Sequence, residues 1–297
     1  MHLTLLSRRA GLFTTRRLAE AARQRGARVR VIDPLAVQLQ LGEGAPAAVY
    51  RGKPLPATDV VIPRIGGAPG HALAVLEYLS LQGVPSLNPA AAISVARNQL
   101  RSLQLLSGAG VPVPRTVMAQ GTGGLRELVA AVGGPPVLIK LVSPGGRPGV
   151  MVCETAQSME AALQAVLSRG HQLLVQRYVR RQRERDLRAL VAGGEVLCWV
   201  ERRPKPGKLL VALARGARLS AVEGTPSLDT LALRAAEVLG LRYAAVDLLE
   251  GEDGPRVFDV HESPGLQRLE AATGKDLAQP IIAAAEALAR SAGLGQV

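Results

Sequence analysis

The sequence YAAVDLLEGEDGPRVFDVHESPGL, residues 243–266, carries the strongest structural signal in the chain. Two apolar runs, residues 243–249 and 256–261, flank a Gly-containing turn, and this pattern predicts a β-hairpin. Asp247 and Asp259 lie inside the two runs. A carboxylate within a buried strand is costly unless a cation or metal ion compensates its charge. The hairpin is therefore the first candidate for a functional site.

His261 adds an imidazole to the two carboxylates. It follows Asp259 by two residues, so both side chains project from the same face of the strand. Two carboxylates and an imidazole on adjacent strands are suitable ligands for Mg²⁺ or Mn²⁺. Alternatively, these groups pair with arginines, in which the chain is rich. The turn after His261 could offer backbone N–H groups to a substrate carboxylate, or it could be an ordinary strand exit.

Lys140 is a candidate ligand for phosphate. It ends the apolar run at residues 137–139 and precedes a Gly/Pro loop at residues 143–149. A lysine in this position can reach nucleotide phosphates while N–H groups of the loop surround them. A lysine at the end of a strand is more often a solvated charge, so this pattern alone does not establish a nucleotide site.

Alternating short strands and helices in the first third predict an α/β unit with a small parallel sheet. The Pro-rich segment at residues 111–114 predicts a boundary. We therefore expect an N-terminal α/β domain (1–110), a central subdomain (111–180) and a C-terminal subdomain (181–297). We also expect a Thr-capped helix over residues 14–25, one long helix over residues 90–107, and a hairpin over residues 186–203 that turns at Gly193 and Gly194.

Composition and charge narrow the classes of partner. The net charge of +12 favours an acidic peptide or protein tail as a partner. Aromatic residues make up only 2% of the chain, which argues against nucleic acid, because single strands are usually bound by aromatic stacking. No apolar run reaches the roughly 20 residues that span a bilayer. The two cysteines lack metal-ligand or disulfide spacing, and we expect a reduced, cytoplasmic protein.

A series of different short motifs extends along the chain from residue 1 to about residue 285. They are Leu-Leu-Ser-Arg (5–8), Ile-Asp-Pro-Leu (32–35), Val-Ile-Pro-Arg-Ile-Gly (61–66), Leu-Arg-Ser-Leu-Gln-Leu-Leu (100–106), Ile-Lys-Leu-Val (139–142), Leu-Val-Gln (174–176), Asp-Leu-Arg (186–188), Val-Glu-Arg-Arg (200–203), Val-Asp-Leu-Leu (246–249) and Ser-Pro-Gly-Leu (263–266). With these motifs in this order, the chain resembles the RimK family of glutamate ligases.

The resemblance implies an ATP-grasp fold of the α/β class with α+β subdomains, in which nucleotide is held between two sheets. It implies ATP with Mg²⁺ or Mn²⁺ as cofactors, an amino acid as substrate, a peptide or protein tail as acceptor, and a homo-oligomer. The implied roles are phosphate binding by Lys140; an adenine hinge at Gln176, Arg177, Tyr178 and Val179; ribose and substrate contacts by Asp186 and Arg188; stabilisation of anionic intermediates by Arg203 and Arg215; and metal binding by Asp247, Asp259 and His261.

The chain departs from the family pattern at several of these positions. The departures are Gln99 in place of a nucleotide-binding lysine, Arg177 in place of an acidic residue, Ala212 and Ala214 in place of Asn and His, Asp259 in place of Glu, and His261 in place of Asn. Two hypotheses follow. The first is an active carboxylate–amine ligase, and the second is a catalytically impaired ATP-grasp scaffold that binds a partner protein.

Overall fold

The computed structural model of the chain describes residues 1–42, 47–66, 69–119, 125–141, 149–167, 173–179, 185–204, 217–251 and 253–294. Three larger sheets and a small meander are present in these ranges. None of the described helices is both long enough and apolar enough to cross a membrane.

The N-terminal part contains a parallel three-stranded sheet, as the sequence predicts, with strand order β2-β1-β6. A small antiparallel sheet, β3-β4-β5, follows β2 and was not predicted. The elements are β1 (His2–Ser7), α1 (Phe13–Gln24), β2 (Arg28–Ile32), β3 (Val37–Gln40), β4 (Ala47–Tyr50), β5 (Lys53–Pro54), β6 (Val60–Arg64), α2 (Pro69–Leu81), α3 (Ala90–Arg97) and α4 (Gln99–Gly108).

Two predicted helices in this part need correction. Helix α1 has Leu12 at its N-cap without a side-chain hydrogen bond, so the predicted Thr cap is wrong. The hydroxyl of Thr14 instead accepts a hydrogen bond from the N–H of Leu266, 2.9 Å away. The predicted long helix is divided at Asn98, whose extended backbone ends α3 and whose side chain caps α4 through the N–H of Arg101. Asparagine favours such caps because its side chain competes for backbone groups.

The central part is a four-stranded antiparallel sheet of order β7-β10-β8-β9. Its elements are β7 (Thr116–Ala119), α5 (Leu125–Val132), β8 (Val137–Leu141), β9 (Val150–Cys153), α6 (Ala156–Leu167) and β10 (Leu173–Arg177). Ile139 and Val175 belong to a core cluster with Met159 and Leu163 of α6. Because side chains alternate along a strand, the other face of the sheet carries Leu138, Lys140 and Gln176.

The C-terminal part is a five-stranded antiparallel sheet of order β13-β12-β11-β14-β15, and both predicted hairpins are confirmed in it. Its elements are β11 (Asp186–Ala192), β12 (Glu195–Arg203), β13 (Arg218–Val222), α7 (Pro226–Val238), β14 (Tyr243–Gly251), β15 (Gly254–His261), α8 (Gln267–Thr273) and α9 (Ala278–Leu294). Each hairpin contains a register shift, one between Leu190 and Val191 and one between Asp247 and Leu248.

A buried asparagine joins the N-terminal and C-terminal parts. Asn88 is fully buried, and its side-chain amide donates to the carbonyls of Tyr243 (2.6 Å) and Glu262 (2.8 Å). Its side-chain oxygen accepts from the N–H groups of Arg242 (2.7 Å) and Tyr243 (2.9 Å). Four hydrogen bonds satisfy the amide completely, so Asn88 fixes β14 and the exit of β15 to the N-terminal part.

Candidate functional site

The candidate site is centred on Asp247, which is 2% exposed in the middle of β14. Arg188 lies opposite Asp247 on β11. Its Nε donates to Oδ1 of Asp247 (2.6 Å) and its Nη2 donates to Oδ2 (2.7 Å). Two parallel bonds of this kind are the strongest pairing between an arginine and a carboxylate. The sequence left two alternatives for Asp247, metal binding or pairing with an arginine, and the structure shows the pairing with Arg188.

A second arginine, Arg202 of β12, links Asp247 to another buried carboxylate. Its Nη2 donates to Oδ2 of Asp247 (2.8 Å), and its Nε donates to Oδ1 of Asp186 (2.5 Å). Arg202 had not been assigned a role from the sequence. Arg202 lies directly across the β11–β12 hairpin from Asp186 only because of the register shift between Leu190 and Val191.

Burial and the two arginines set the charge states of the acids in opposite ways. Burial opposes the charge of Asp247, but Arg188 and Arg202 outweigh it and hold the pKa of Asp247 well below its usual range. For Asp186, burial dominates over the opposing charge of Arg202, and the nearby Asp247 adds to it, which raises the pKa of Asp186 to about 6. The two carboxylates thus differ in ease of ionisation although they share Arg202.

His261 and Asp259, which are partly exposed, complete the cluster around the buried Asp247. The Nε2 of His261 lies 3.1 Å from Oδ2 of Asp247 and 3.6 Å from Oδ2 of Asp259. Burial lowers the pKa of His261, but the charges of Asp259 and Asp247 outweigh burial and raise it above its usual value. The Nε2 of His261 therefore lies between one carboxylate oxygen of Asp247 and one of Asp259.

These three side chains fit a divalent metal ion only in part. Adjacent ligands of an octahedral Mg²⁺ lie about 3.0 Å apart, close to the separations from the Nε2 of His261. However, both oxygens of Asp247 already accept hydrogen bonds from guanidinium groups. In the described part of the chain, no three His, Cys, Asp or Glu side chains form a complete metal site. A metal ion would have Asp259 and His261 as its accessible ligands and would share Asp247 with the arginines.

Lys140 lies on strand β8 of the central sheet. It is 7% exposed, on the face of β8 that also carries Leu138. Burial lowers the pKa of Lys140, and the negative charge of Asp259 opposes that shift. The charges of Lys140 and Asp259 therefore act on each other although the two residues belong to different sheets.

The four residues predicted to form the adenine hinge have different surroundings. Gln176 is fully buried; its Nε2 donates to Oγ1 of Thr116 (2.9 Å), while its Oε1 has no hydrogen-bond partner among the described residues. Tyr178 is buried against Leu138. Arg177, Tyr178 and Val179 line a cavity of about 1130 Å³ beside the end of the β14–β15 hairpin. Three of the four residues predicted as the hinge therefore line one cavity, and Gln176 is not among its lining residues.

Arg203, the next residue after Arg202, lies outside the cluster around Asp247. Consecutive residues of a strand project to opposite faces, and the Nε of Arg203 instead donates to Oε1 of Glu201. Glu201 also pairs with Arg185 at 2.6 Å. The role assigned to Arg203 stays a prediction. Arg215, Ala212 and Ala214 lie outside the described residues, as does most of the Gly/Pro loop that follows β8.

The turn after β15 has fewer backbone N–H groups available for a substrate carboxylate than the sequence suggested. The N–H of Leu266 is bonded to Thr14, and Pro264 has no N–H. The carbonyl of Pro264 accepts from Nη1 of Arg64 (2.7 Å) and from the hydroxyl of Tyr243 (3.0 Å). Hydrogen bonds with Thr14, Arg64 and Tyr243 therefore hold the turn in place next to the end of β15.

Comparison with known proteins assigns this architecture to a family. The model of the RimK-like ATP-grasp domain matches residues 96–285, and the model of the RimK PreATP-grasp domain matches residues 1–93. The chain belongs to the RimK-like ATP-grasp family. This confirms the family resemblance and the ATP-grasp fold predicted from the sequence, and RimK-like ATP-grasp ligases use ATP with Mg²⁺.

Relatives of similar length support the assignment. The RimK-like chain is 40% identical over 301 residues to a probable alpha-L-glutamate ligase of Pseudomonas paraeruginosa, covering 99% of this chain and 100% of the relative. It is 41% identical over 284 residues to a probable alpha-L-glutamate ligase of Hydrogenovibrio crunogenus, covering 95% and 94% of the two chains.

Solved structures share the fold over nearly the whole RimK-like chain. A RimK domain ATP-grasp protein from Sphaerobacter thermophilus has 26% identity and a TM-score of 0.71, with 96% of this chain and 99% of the other covered. The ATP-grasp ligase PsnB, solved with a minimal precursor, has 24% identity and a TM-score of 0.77, with 97% and 98% covered. At this identity PsnB supports the fold alone.

Proposed function

We propose that this protein is an ATP-dependent carboxylate–amine ligase that joins an amino acid, with glutamate as the first candidate, to a carboxylate of an acidic peptide or protein tail. The observation that carries the proposal is the cluster of Asp247, Asp259 and His261 on the β14–β15 hairpin, with the charge of Asp259 acting on the buried Lys140 of the central sheet. The names of the relatives, probable alpha-L-glutamate ligases, support glutamate as the amine. The net charge of +12 supports an acidic acceptor.

The reaction requires two transfers. An oxygen of the acceptor carboxylate attacks the γ-phosphorus of ATP, ADP leaves, and an acyl phosphate forms. The amine nitrogen of the amino acid then attacks the acyl carbon, phosphate leaves with the bonding electrons, and the amine loses a proton to give the amide. Positioning and charge stabilisation provide most of the catalysis in such phosphoryl transfers.

The chain's own residues can be assigned to these tasks. Lys140 would hold the phosphates, while Arg177, Tyr178 and Val179 would border the adenine in the cavity beside the hinge. Mg²⁺ or Mn²⁺, when bound by Asp259 and His261 with Asp247 shared, would neutralise the phosphate charge. Arg188 lies beside these ligands and would provide a further cation near the developing negative charge.

The other hypothesis, a scaffold with an impaired site, is favoured by two observations. Asp247 is held by two arginines. Gln99 stands where the family has a lysine, and its Nε2 lies 3.5 Å from the carbonyl of Phe258. A site already neutralised by guanidinium groups has less electrostatic need for a metal ion. The experiment below separates the two hypotheses.

The test is ADP release by the purified protein with ATP, MgCl₂ or MnCl₂, L-glutamate and a synthetic acidic peptide, together with the mass of the peptide. We expect ADP release that depends on glutamate and a peptide heavier by one glutamyl residue. Lys140→Met should abolish both, while Lys275→Met, at an exposed lysine, should leave both unchanged. A wild-type protein that releases no ADP and leaves the mass of the peptide unchanged with either metal would contradict the ligase and favour the scaffold.

A further inference from the structure

The carboxyl edge of the parallel sheet, where β1 ends at Ser7 and β6 ends at Arg64, carries arginines that have no role in the proposed reaction. Strand β1 lies between β2 and β6, and Ser7 pairs with Arg64 across the two strands. Arg8 and Arg9 follow Ser7 directly in the chain, and both are exposed. The register of the sheet therefore brings three arginines to one edge.

The carboxyl edge is also the place where the order of the strands reverses. From β1 the chain passes through α1 to β2 on one side, and it later returns to β6 on the other side. Helix α1 shares a core cluster with Leu3 and Leu5 of β1, whereas α2 shares another cluster with Leu6, so the two helices cover opposite faces. In open α/β sheets, ligands bind in the crevice at the carboxyl ends of the strands where the order reverses.

The arginines of the carboxyl edge differ from others in the same part of the chain by the absence of acid partners. Residues 1–110 contain 13 Lys and Arg but only 5 Asp and Glu, so they carry +8 of the net charge of +12. Several arginines there form ion pairs with acids of the C-terminal part: Arg17 with Glu270, Arg25 with Glu286 and Arg97 with Glu262. Within the described ranges, no carboxylate lies within ion-pair distance of Arg8, Arg9 or Arg64.

Arg64 is held at the carboxyl edge without being neutralised. Its Nη1 donates to the carbonyl of Pro264 (2.7 Å), and its Nε has no hydrogen-bond partner in the part of the chain that the structure describes. A carbonyl carries no net charge, so the positive charge of the half-buried guanidinium remains uncompensated. A carboxylate is the acceptor that a guanidinium binds most strongly, because the two planar groups can form two parallel hydrogen bonds.

The turn after β15 connects the carboxyl edge with the candidate site. Pro264, the partner of Arg64, follows His261 by three residues, and three residues of extended chain span at most about 11 Å. The hydrogen bond from the N–H of Leu266 to Thr14 fixes the same turn to α1. A bound peptide of several residues can therefore contact the carboxyl edge with its acid side chains while its terminal carboxylate lies near His261.

We propose that the carboxyl edge, with Arg8, Arg9 and Arg64, is the docking site of the acidic acceptor tail. This inference rests on the proposed function, since it takes the acceptor to be an acidic peptide with a free carboxylate. Acid side chains of the tail pair with the three guanidinium groups, which increases the rate of association and sets the orientation of the tail. The content of only 2% aromatic residues favours a peptide over a single-stranded nucleic acid as the occupant.

The test measures the binding of fluorescein-labelled hexaglutamate with a free C-terminus, by fluorescence anisotropy and without nucleotide. We expect Arg8→Gln/Arg9→Gln to weaken binding about tenfold, because two exposed ion pairs with the peptide are lost. The matched control is Arg23→Gln/Arg28→Gln, which removes two exposed charges near the amino ends of the same strands. It should weaken binding less than about twofold, since charges beyond about 8 Å are largely screened at physiological salt.

Arg64→Lys tests the third arginine while its positive charge is kept. Lysine lacks the planar fork that binds a carboxylate through two parallel hydrogen bonds. We therefore expect weaker binding of hexaglutamate than in the wild type. Unchanged binding in Arg64→Lys would remove Arg64 from the docking site, and the result for Arg8→Gln/Arg9→Gln then decides whether the carboxyl edge binds the peptide.

Several outcomes would overturn the inference. Equal losses in the two double variants would show that the peptide responds to net charge alone, and unchanged binding in Arg8→Gln/Arg9→Gln would exclude the carboxyl edge. Tighter binding of a labelled single-stranded oligodeoxynucleotide, lost in the same variant, would identify the occupant as nucleic acid.

The ligation assay of the wild type is a separate measurement, so the two proposals can fail independently. A protein that binds hexaglutamate at the carboxyl edge but never extends it contradicts the proposed function and keeps the docking site. A protein that extends the peptide with the same KM for peptide in the wild type and in Arg8→Gln/Arg9→Gln supports the proposed function and overturns the docking site.

Discussion

Arg188 and Asp247 lie opposite each other on neighbouring strands, and two parallel hydrogen bonds of 2.6 and 2.7 Å join the guanidinium to the carboxylate. The pair is positioned where the family resemblance implies a metal ligand. Asp247 therefore compensates the buried Arg202 and the half-buried Arg188, and a metal ion could reach it only in competition with them.

The first prediction concerns stability. Asp247→Asn keeps the shape of the side chain but removes the negative charge that compensates Arg188 and Arg202. We expect a loss of about 3–5 kcal/mol in the free energy of unfolding, as for other buried pairs that lose one partner, measured by urea denaturation. The matched control is Asp253→Asn, at an exposed acid paired with Arg256, with an expected loss below about 1 kcal/mol. Equal losses in the two variants would contradict the buried role of Asp247.

The hairpins were predictable from the sequence, but the pairing of charges across them was not. In an unbroken β11–β12 hairpin that turns at Gly193 and Gly194, Asp186 would face Glu201. The register shift between Leu190 and Val191 moves the partner by one residue, to Arg202. A bulge of this kind changes which side chain meets which and is common beside functional sites. No local pattern in the sequence marks its position.

The β14–β15 hairpin shows the same effect. Counting from its turn, where Gly251 faces Gly254, would place Asp247 opposite Phe258. The shift after Asp247 instead makes Asp259 its partner and so brings two carboxylates together. The sequence thus predicted both acids as candidate site residues. Their relation to each other, and to Arg188 on a third strand, depended on tertiary structure.

The second prediction concerns pH. A hydrogen bond from Arg203 is the main cause that lowers the pKa of Glu201, and Arg185 adds to it, although burial opposes both. Because the folded pKa is depressed, Glu201 stabilises the fold above the unfolded value of about 4.3, and this contribution is lost as pH falls through the folded pKa. We expect the stability difference between wild type and Glu201→Gln to be constant above about pH 6 and to decrease at lower pH.

Unfolding by urea between pH 3 and pH 7 measures this difference. The control is Glu237→Gln, at an exposed acid paired with Arg234 on the surface of α7, for which the difference should remain near zero throughout. A stability difference for Glu201→Gln that increases as the pH falls would contradict the assignment of a lowered pKa.

The third prediction concerns the joint between the N-terminal and C-terminal parts. Asn88→Ala leaves four backbone groups of Arg242, Tyr243 and Glu262 without their partner. We expect a loss of about 2–4 kcal/mol in the free energy of unfolding, since buried unsatisfied groups cost roughly 1–3 kcal/mol each and water enters part of the space. Asn98→Ala, which removes only the cap of α4, should cost about 1 kcal/mol. Thermal or urea unfolding with a single transition checks both values. A smaller loss for Asn88→Ala than for Asn98→Ala would contradict the role of Asn88 in holding the N-terminal and C-terminal parts together.

The fourth prediction concerns the choice of metal. His261 provides nitrogen where the family has the amide oxygen of Asn, and its Nε2 lies 3.1 Å from Asp247 and 3.6 Å from Asp259. Imidazole is a better ligand for Mn²⁺ than for the harder Mg²⁺. We therefore expect the wild type to prefer Mn²⁺, and His261→Asn to shift the ratio of the two dissociation constants towards Mg²⁺ by about tenfold, at least the effect that changes in the surroundings of metal ligands have.

Calorimetric titration of each metal in the presence of a non-hydrolysable ATP analogue gives the ratio directly, without any need for turnover. His71→Asn is the matched control, because His71 lies in the N-terminal part and its Nε2 contacts the carbonyl of Val37, so the ratio should not change. The raised pKa of His261 adds a second expectation: Mn²⁺ affinity should increase with pH as the imidazole loses its proton. A ratio that is identical in the wild type and His261→Asn would show that the imidazole does not bind the metal, and Asp259 would then be the only accessible ligand of the three side chains.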